Sequence, residues 1–232
     1  MQQQPSLANA DMDATPTGGV TNGLSITVHN AAKRFNREWI FRNLSYQFIQ
    51  GNTYAITGPN GSGKSTLLQT IAGAIAPSEG KLVFSTSSNT AETVVDEEKV
   101  HACISIAAPY LEVIEEMTAA EFLQFHAQFK SFLPNISIAT ILELIGLTAA
   151  KSKQIRFYSS GMKQRIKLAQ AIFTDAPVLL LDEPCTNLDA SGYQLYHQLI
   201  NDYCSRKLVI VCSNDINEYD FCKERLSILD YK

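Results

Sequence analysis

The sequence predicts an α/β domain in which a mixed, mainly parallel sheet carries an antiparallel β subdomain and an inserted helical subdomain. Three observations lead there. Short apolar runs alternate with amphipathic stretches of helical length, the pattern of strands laid parallel by helical crossovers. A glycine-rich loop separates one such run from the next helix. The middle of the 232-residue chain then abandons strand-like runs for apolar residues at helical spacing.

The elements follow in order. Residues 1–23, MQQQPSLANADMDATPTGGVTNG, are rich in Gln, Ala, Thr, Gly, Asp and Asn without an apolar period, so they are expected to form a flexible tail that cannot offset its ordering entropy. From Leu24 come three strand patterns, LSITVH, WIFRNLSYQF and NTYAIT, the last leading into the glycine loop. LVFSTSS and KVHACISIA read as further strands joined by a polar stretch from Ser87 to Glu98. TAAEFLQFHAQFKSFL and ISIATILELIGL then read as helices separated by Pro134, within a helical subdomain over about 110–175. A helix beginning near Ser159, the strand VLLLD, a helix around YQLYHQLINDYC and the strand KLVIVCS complete the domain, which spans 24–232.

Composition narrows the function. With 45% apolar residues the chain can bury a substantial core, and its net charge of −4 with scattered Lys and Arg argues against a nucleic-acid partner. No window of about 18 consecutive apolar residues occurs, and the start lacks the basic-then-apolar layout of a secretory signal. The expected location is therefore the cytoplasm. Cys103, Cys185, Cys204, Cys212 and Cys222 are odd in number and lack CxxC spacing, which reads as reduced, buried thiols.

The chemistry begins at Gly58-Pro59-Asn60-Gly61-Ser62-Gly63-Lys64-Ser65-Thr66, a GxxxxGK[ST] loop between a strand and the helix LLQTIAG. Glycines let successive amides face one anion, and that anion sits at a helix N-terminus where the dipole favours it. The fold expected around this loop is a P-loop NTPase core. Lys64 would reach the β and γ phosphates of ATP, and the Ser65 hydroxyl would ligate Mg²⁺. Downstream, Val178-Leu179-Leu180-Leu181-Asp182-Glu183 is an apolar run ending in two carboxylates, as expected of a buried strand that opens onto a site. Asp182 would take the Mg²⁺ through water, and Glu183 would act as general base on the attacking water.

A second anion-binding helix start lies at Tyr158-Ser159-Ser160-Gly161-Met162, whose helix carries Met162, Ile166, Ala169 and Phe173 on one face. Taken together, GPNGSGKST, YSSGMKQR, LLLDEP and TNLD, in that order, resemble the nucleotide-binding subunits of ATP-binding cassette transporters over roughly residues 24–232. The resemblance implies a head-to-tail dimer in which the signature helix of one subunit closes over ATP held by the P-loop of the other. Ser159, Ser160 and Gly161 would then contact the γ-phosphate in trans. Asn187, Leu188 and Asp189 would form the loop that joins the two sites. Phe35 falls where the family usually places an aromatic ring against adenine, and stacking needs only a π face.

Two positions depart from the family. Where a glutamine normally reaches Mg²⁺ and the attacking water, this chain reads Ala107-Ala108-Pro109-Tyr110-Leu111-Glu112, so Tyr110 or Glu112 supplies an oxygen or the loop only docks a partner. Where Ser-His-Asp is usual, it reads Ser213-Asn214-Asp215; Asn214 can hydrogen-bond a phosphate oxygen or Glu183 but cannot carry a proton. The expected activity is thus slow but real ATP hydrolysis. The resemblance implies a separately encoded membrane permease as partner, docked on the helical subdomain, and a second ATP-binding subunit, as a homodimer. The signature wording favours export and a peripheral place on the cytoplasmic face of the membrane. The alternative is a nucleotide-dependent dimerising switch with little hydrolysis. A non-transport cassette protein is weakened by the single cassette and the lack of a coiled-coil insertion.

Overall fold

Two antiparallel strands begin the described chain. The computed structural model describes residues 23–88 and 91–232; of the expected tail, residues 1–22 lie outside the described residues, and the first strand, β1, opens at Gly23. β1 (Gly23–Phe35) turns back through Asn36, whose φ of 53° suits a short polar side chain, into β2 (Glu38–Ile49). β4 (Glu79–Ser88) and the short β5 (Ala91–Val94) extend this antiparallel sheet in the order β2-β1-β4-β5.

The second sheet is parallel throughout, in the order β6-β7-β8-β3-β9. Its strands are β3 (Thr53–Thr57), β6 (Ile104–Ala107), β7 (Val178–Asp182), β8 (Leu208–Cys212) and β9 (Glu224–Ser227). β7 and β8 are buried along their whole length, as continuous apolar strands covered on both faces should be. The sheet separates two cores. Val178, Leu180, Leu208 and Ile210 face the antiparallel sheet and Leu67, Leu68 and Ile71 of helix α1 (Lys64–Ile71). Leu179, Leu181, Val209 and Val211 face the helices of the other layer.

Those helices are α3 (Ala119–Ala127), α4 (Ile138–Leu144), α5 (Ser160–Phe173) and α6 (Ala190–Tyr203), with the single turn α2 (Glu97–Val100) earlier in the chain. Side chains satisfy the free amides at their starts. Thr118 and Glu121 form a reciprocal capping box on α3, and Ser137, Ser159 and Asp189 cap α4, α5 and α6. The other end of α5 is closed by Lys207, buried, whose ammonium donates to Ile172 O at 2.9 Å and Thr174 O at 2.6 Å.

Two sequence expectations are corrected. Only Ile104–Ala107 of KVHACISIA is strand; Lys99 and Val100 belong to α2 and His101–Cys103 to a 3₁₀ turn, because the Asp96 side chain caps a helix start at Glu98 N. This strand joins the parallel sheet, whereas LVFSTSS joins the antiparallel one. The helix expected through TAAEFLQFHAQFKSFL stops at Ala127, and the following segment bridges Phe132 to Thr174 instead. β9 has no apolar run to announce it, since it is a four-residue strand beginning Glu-Arg.

Candidate functional site

Parallel strands deliver their connections to one edge of the sheet, and that edge assembles the site. After β3 the chain curls through Gly58, Gly61 and Gly63, at φ of 150°, 75° and 101°, backbone states that disfavour L side chains. A Cβ on Gly58 would stand 2.7 Å from Ile228 Cγ2 and 2.8 Å from Ser62 Oγ, and one on Gly63 would overlap Ile40 Cγ2. The loop wall is therefore backbone, turned to face an anion at the start of α1, although Ser62 N is already engaged by Pro59 O at 3.1 Å. Lys64 is 5% exposed, and its ammonium donates to Gly58 O at 2.8 Å and Pro59 O at 3.2 Å, folded over the loop it is expected to serve. Asn60 and Gly61 form the exposed rim, while Ser65 and Thr66 stand half-buried in the first helical turn. From outside, Lys232 donates to Ser62 O at 2.6 Å and Ile40 O at 2.9 Å.

β7 ends beside this loop. Asp182 is 2% exposed, and burial pushes its carboxyl above the usual range, while the Ser65 hydroxyl and the Lys64 charge oppose that shift. Its Oδ1 is buried with no partner, as is Ser62 Oγ. Buried polar atoms are rarely left unpaired, and Asp182 Oδ1, at the strand end beside the loop, is positioned to receive a bound group. Among the described residues no group of three or more His, Cys, Asp or Glu is arranged to hold a metal. Ser65 and Asp182 alone suit Mg²⁺, which keeps waters and takes its remaining ligands from phosphates. Glu183 follows at φ of 45°, an unusual state for this residue type, while its N–H still donates to Cys212 O at 2.9 Å.

Ser159, Ser160 and Gly161 lie elsewhere. Ser159 caps α5 by accepting from Met162 N at 3.2 Å, and Ser159 and Ser160 are both exposed. A Cβ on Gly161 would come 3.1 Å from Asn187 O, so the helix start and the Asn187–Asp189 loop are in contact within one chain. Asp189 accepts from Gly192 N and Ser191 Oγ, each at 2.8 Å, which holds its carboxyl below the usual range. Ser159 to Gly161 and Asn187 to Asp189, with Met162, Arg165, Gly146, Leu147, Ala149 and Ala150, line an open cavity of about 430 Å³ whose walls include no P-loop residue.

Phe35 closes the β1–β2 hairpin with 47% of its surface exposed, and the Lys33 ammonium lies 5.1 Å from its ring centroid. Asn214 is exposed past the end of β8. In the Pro109 loop the two candidate oxygens separate. The Tyr110 phenol takes Gln69 of α1 as partner and is pushed up to about 12 by burial first and the Asp182 charge second. Glu112 acts instead on Lys167 of α5.

Sequence reasoning missed three supports. Gln164 donates from buried α5 to Pro184 O at 2.6 Å, joining the signature helix to the turn after Glu183. Buried Glu218 accepts from Cys185 N at 2.8 Å and steadies the same turn, its carboxyl raised chiefly by burial. Tyr193 donates to Asp215 Oδ2 at 2.9 Å. A polar residue inside an apolar helix face is the one signal that pointed to Gln164.

A family model described as ABC transporter matches residues 41–186. An uncharacterized ABC transporter ATP-binding protein of Bacillus subtilis (strain 168), YybJ, is 30% identical over 199 residues, covering 83% of this chain and 86% of that protein. The cytochrome c biogenesis ATP-binding export protein CcmA of Agrobacterium fabrum is 27% identical over 197 residues, covering 82% and 88%. Some relatives are longer: the chain spans 55% of Bacillus subtilis YcbN. Among solved structures, the dimeric structure of MJ0796, a bacterial ABC transporter cassette, aligns with a TM-score of 0.70 at 23% identity, covering 88% of this chain and 94% of that one.

Proposed function

The chain belongs to the ABC transporter family of ATP-binding proteins, and from that premise we propose that it binds and hydrolyses ATP to power export through a separately encoded membrane permease. The observation that carries this reading is the edge of the parallel sheet, where Ser65, Glu183 and Lys64 all act on Asp182, whose Oδ1 is buried without a partner. The backbone amides of Gly61, Gly63 and Lys64 and the Lys64 ammonium would bind the phosphates, and Phe35 offers an exposed ring for the base. Ser65 and Asp182 would hold Mg²⁺, which when bound neutralises charge developing on the phosphates. Glu183 would orient the attacking water and accept its proton.

Dimer closure completes the site in this reading. Ser159 and Ser160 are exposed and Gly161 is half-buried, all away from their own P-loop, and the alignment with a dimeric cassette supports their use by a second copy. Among the described residues no helix is long and apolar enough to cross a membrane, in keeping with a peripheral subunit that requires a permease. Exposed Phe125, Phe129 and Phe157 of the helical layer, with Leu111 and Ile114 of the Pro109 loop, offer an apolar docking surface for it at the cytoplasmic face. CcmA, an export protein by its own description, favours the outward direction.

The test is phosphate release by the purified chain and its Glu183→Gln variant, with chain size followed in ATP. The variant should release phosphate at least about 10²-fold more slowly, as when one oriented catalytic group is lost, and accumulate as an ATP-dependent dimer. Equal release by both forms would sink hydrolysis at this site. The second reading, a dimerising switch with little turnover, is favoured by Asn214 in place of a proton-carrying group. It predicts ATP-driven dimers of the wild type with no phosphate released even beside a membrane partner.

A further inference from the structure

The phosphate loop is gripped from outside by residues 228–232, which follow β9. They begin with a 3₁₀ turn, Ile228–Tyr231, capped by Ser227, whose hydroxyl accepts from Leu229 N at 3.3 Å. Ile228 is fully buried against the start of the loop, where a Cβ on Gly58 would stand 2.7 Å from its Cγ2. Tyr231 packs on the core beneath the antiparallel sheet. Lys232 then reaches the far side of the loop: its ammonium donates to Ser62 O at 2.6 Å and to Ile40 O of β2 at 2.9 Å. Lys64 serves other atoms, since its own bonds go to Gly58 O and Pro59 O.

A planar trans peptide points its C=O and N–H to opposite sides. With Ser62 O drawn to Lys232, the Gly63 N–H of the same peptide is directed away from that ammonium. Ser62 N is committed to Pro59 O at 3.1 Å, so both backbone polar groups of Ser62 are held. Gly63 itself, at φ of 101°, has no side chain to restrict its dihedrals, and a restraint on this peptide must come from outside. We propose that Lys232 is a positioning residue of the nucleotide site: by holding Ser62 O it keeps the Gly63 N–H aimed at the phosphates before ATP arrives. The proposal rests on the reading that this loop binds ATP. Lys232 is exposed overall, but its bond to Ser62 O is partly buried, which limits solvent screening. A charged donor on the carbonyl also polarises the peptide and makes its N–H a stronger donor. Because the ammonium is shared with Ile40 O, it ties the loop to the sheet that carries Phe35.

Lys232→Met keeps an aliphatic stem and removes the charged donor. Three measurements on the full chain decide: the affinities for ATP and for inorganic triphosphate, the steady-state kinetics of phosphate release, and the amide nitrogen chemical shift of Gly63 in the nucleotide-free chain. ATP and triphosphate should each bind about three- to tenfold more weakly, the size of one hydrogen bond, KM for ATP should rise with kcat unchanged, and the Gly63 signal should move. Lys232→Arg, which can donate to the same carbonyls, should restore both affinities to within about twofold. Wild-type triphosphate affinity in Lys232→Met overturns the proposal, as does an unmoved Gly63 signal or a loss confined to ATP, which would put Lys232 at the base. A loss that follows a fall in melting temperature and is not repaired by Lys232→Arg overturns it as well. If the wild type binds neither ATP nor triphosphate, the nucleotide reading fails, while the Gly63 signal still decides whether Lys232 sets this peptide.

Discussion

Replacing Gly63 by Ala tests the phosphate loop at its tightest point. The residue sits at φ of 101° immediately before α1, and its added Cβ would overlap Ile40 Cγ2 on β2. Two costs add. A side chain in the left-handed region costs roughly 1–2 kcal/mol, and overpacking against a branched neighbour costs roughly 1–3 kcal/mol. Gly63→Ala should therefore destabilise the chain by about 2–5 kcal/mol in urea unfolding, and the displaced amides should weaken ATP binding. Ile40→Ala removes the obstacle but not the dihedral strain. Ile40 is half-buried, so its own truncation should cost about 1–2 kcal/mol, below the range of fully buried sites. The double variant should then be more stable than the sum of the singles by about 1–3 kcal/mol. Strict additivity would refute the contact between loop and strand, and an unchanged midpoint in Gly63→Ala would refute the left-handed backbone itself.

The other expectations concern charge and stacking. Lys64→Ala should abolish ATP binding in a fluorescent-nucleotide titration while leaving the fold intact, since the lost bonds are only to two carbonyls of its own loop. If Phe35 stacks on adenine as proposed, Phe35→Ala should weaken binding of ATP by about 1 kcal/mol and leave binding of inorganic triphosphate unchanged. Glu218→Gln reports on pH. Burial raises this carboxyl in the fold, so its ionisation costs stability as pH climbs through the folded value, whereas below the unfolded value of about 4.3 both states are protonated. The variant should melt near the wild-type temperature in acid and above it at neutral pH, keeping an acceptor for Cys185 N; an advantage that grows on acidification would reverse the sign.

The fold and half of the site were legible in the chain because they rest on local rules. GxxxxGK[ST] requires glycine dihedrals within one loop, VLLLD announces a strand buried on both faces, and a serine ahead of an amphipathic run announces a helix start. Each signal lies within about ten residues, so it survives without knowledge of partners. β9 and the helical turn at Lys99 did not follow from their own residues: the first is a strand only because Tyr54 to Thr57 offers it an edge, and the second depends on one aspartate cap.

Neighbours distant in sequence were decided by tertiary structure alone. The sequence left Tyr110 and Glu112 equal; only the folded chain separates them, since the Asp182 charge acts on the half-buried Tyr110 phenol whereas Glu112 acts on Lys167 of α5. Gln164 and Glu218 became supports of the Glu183 turn by the same route, through contacts spanning 20 and 33 residues. The sequence by itself picked out the loop expected to hold a triphosphate. Which groups brace that loop and the acidic turn depends on helix and strand packing, because burial and pairing arise only when separate segments meet.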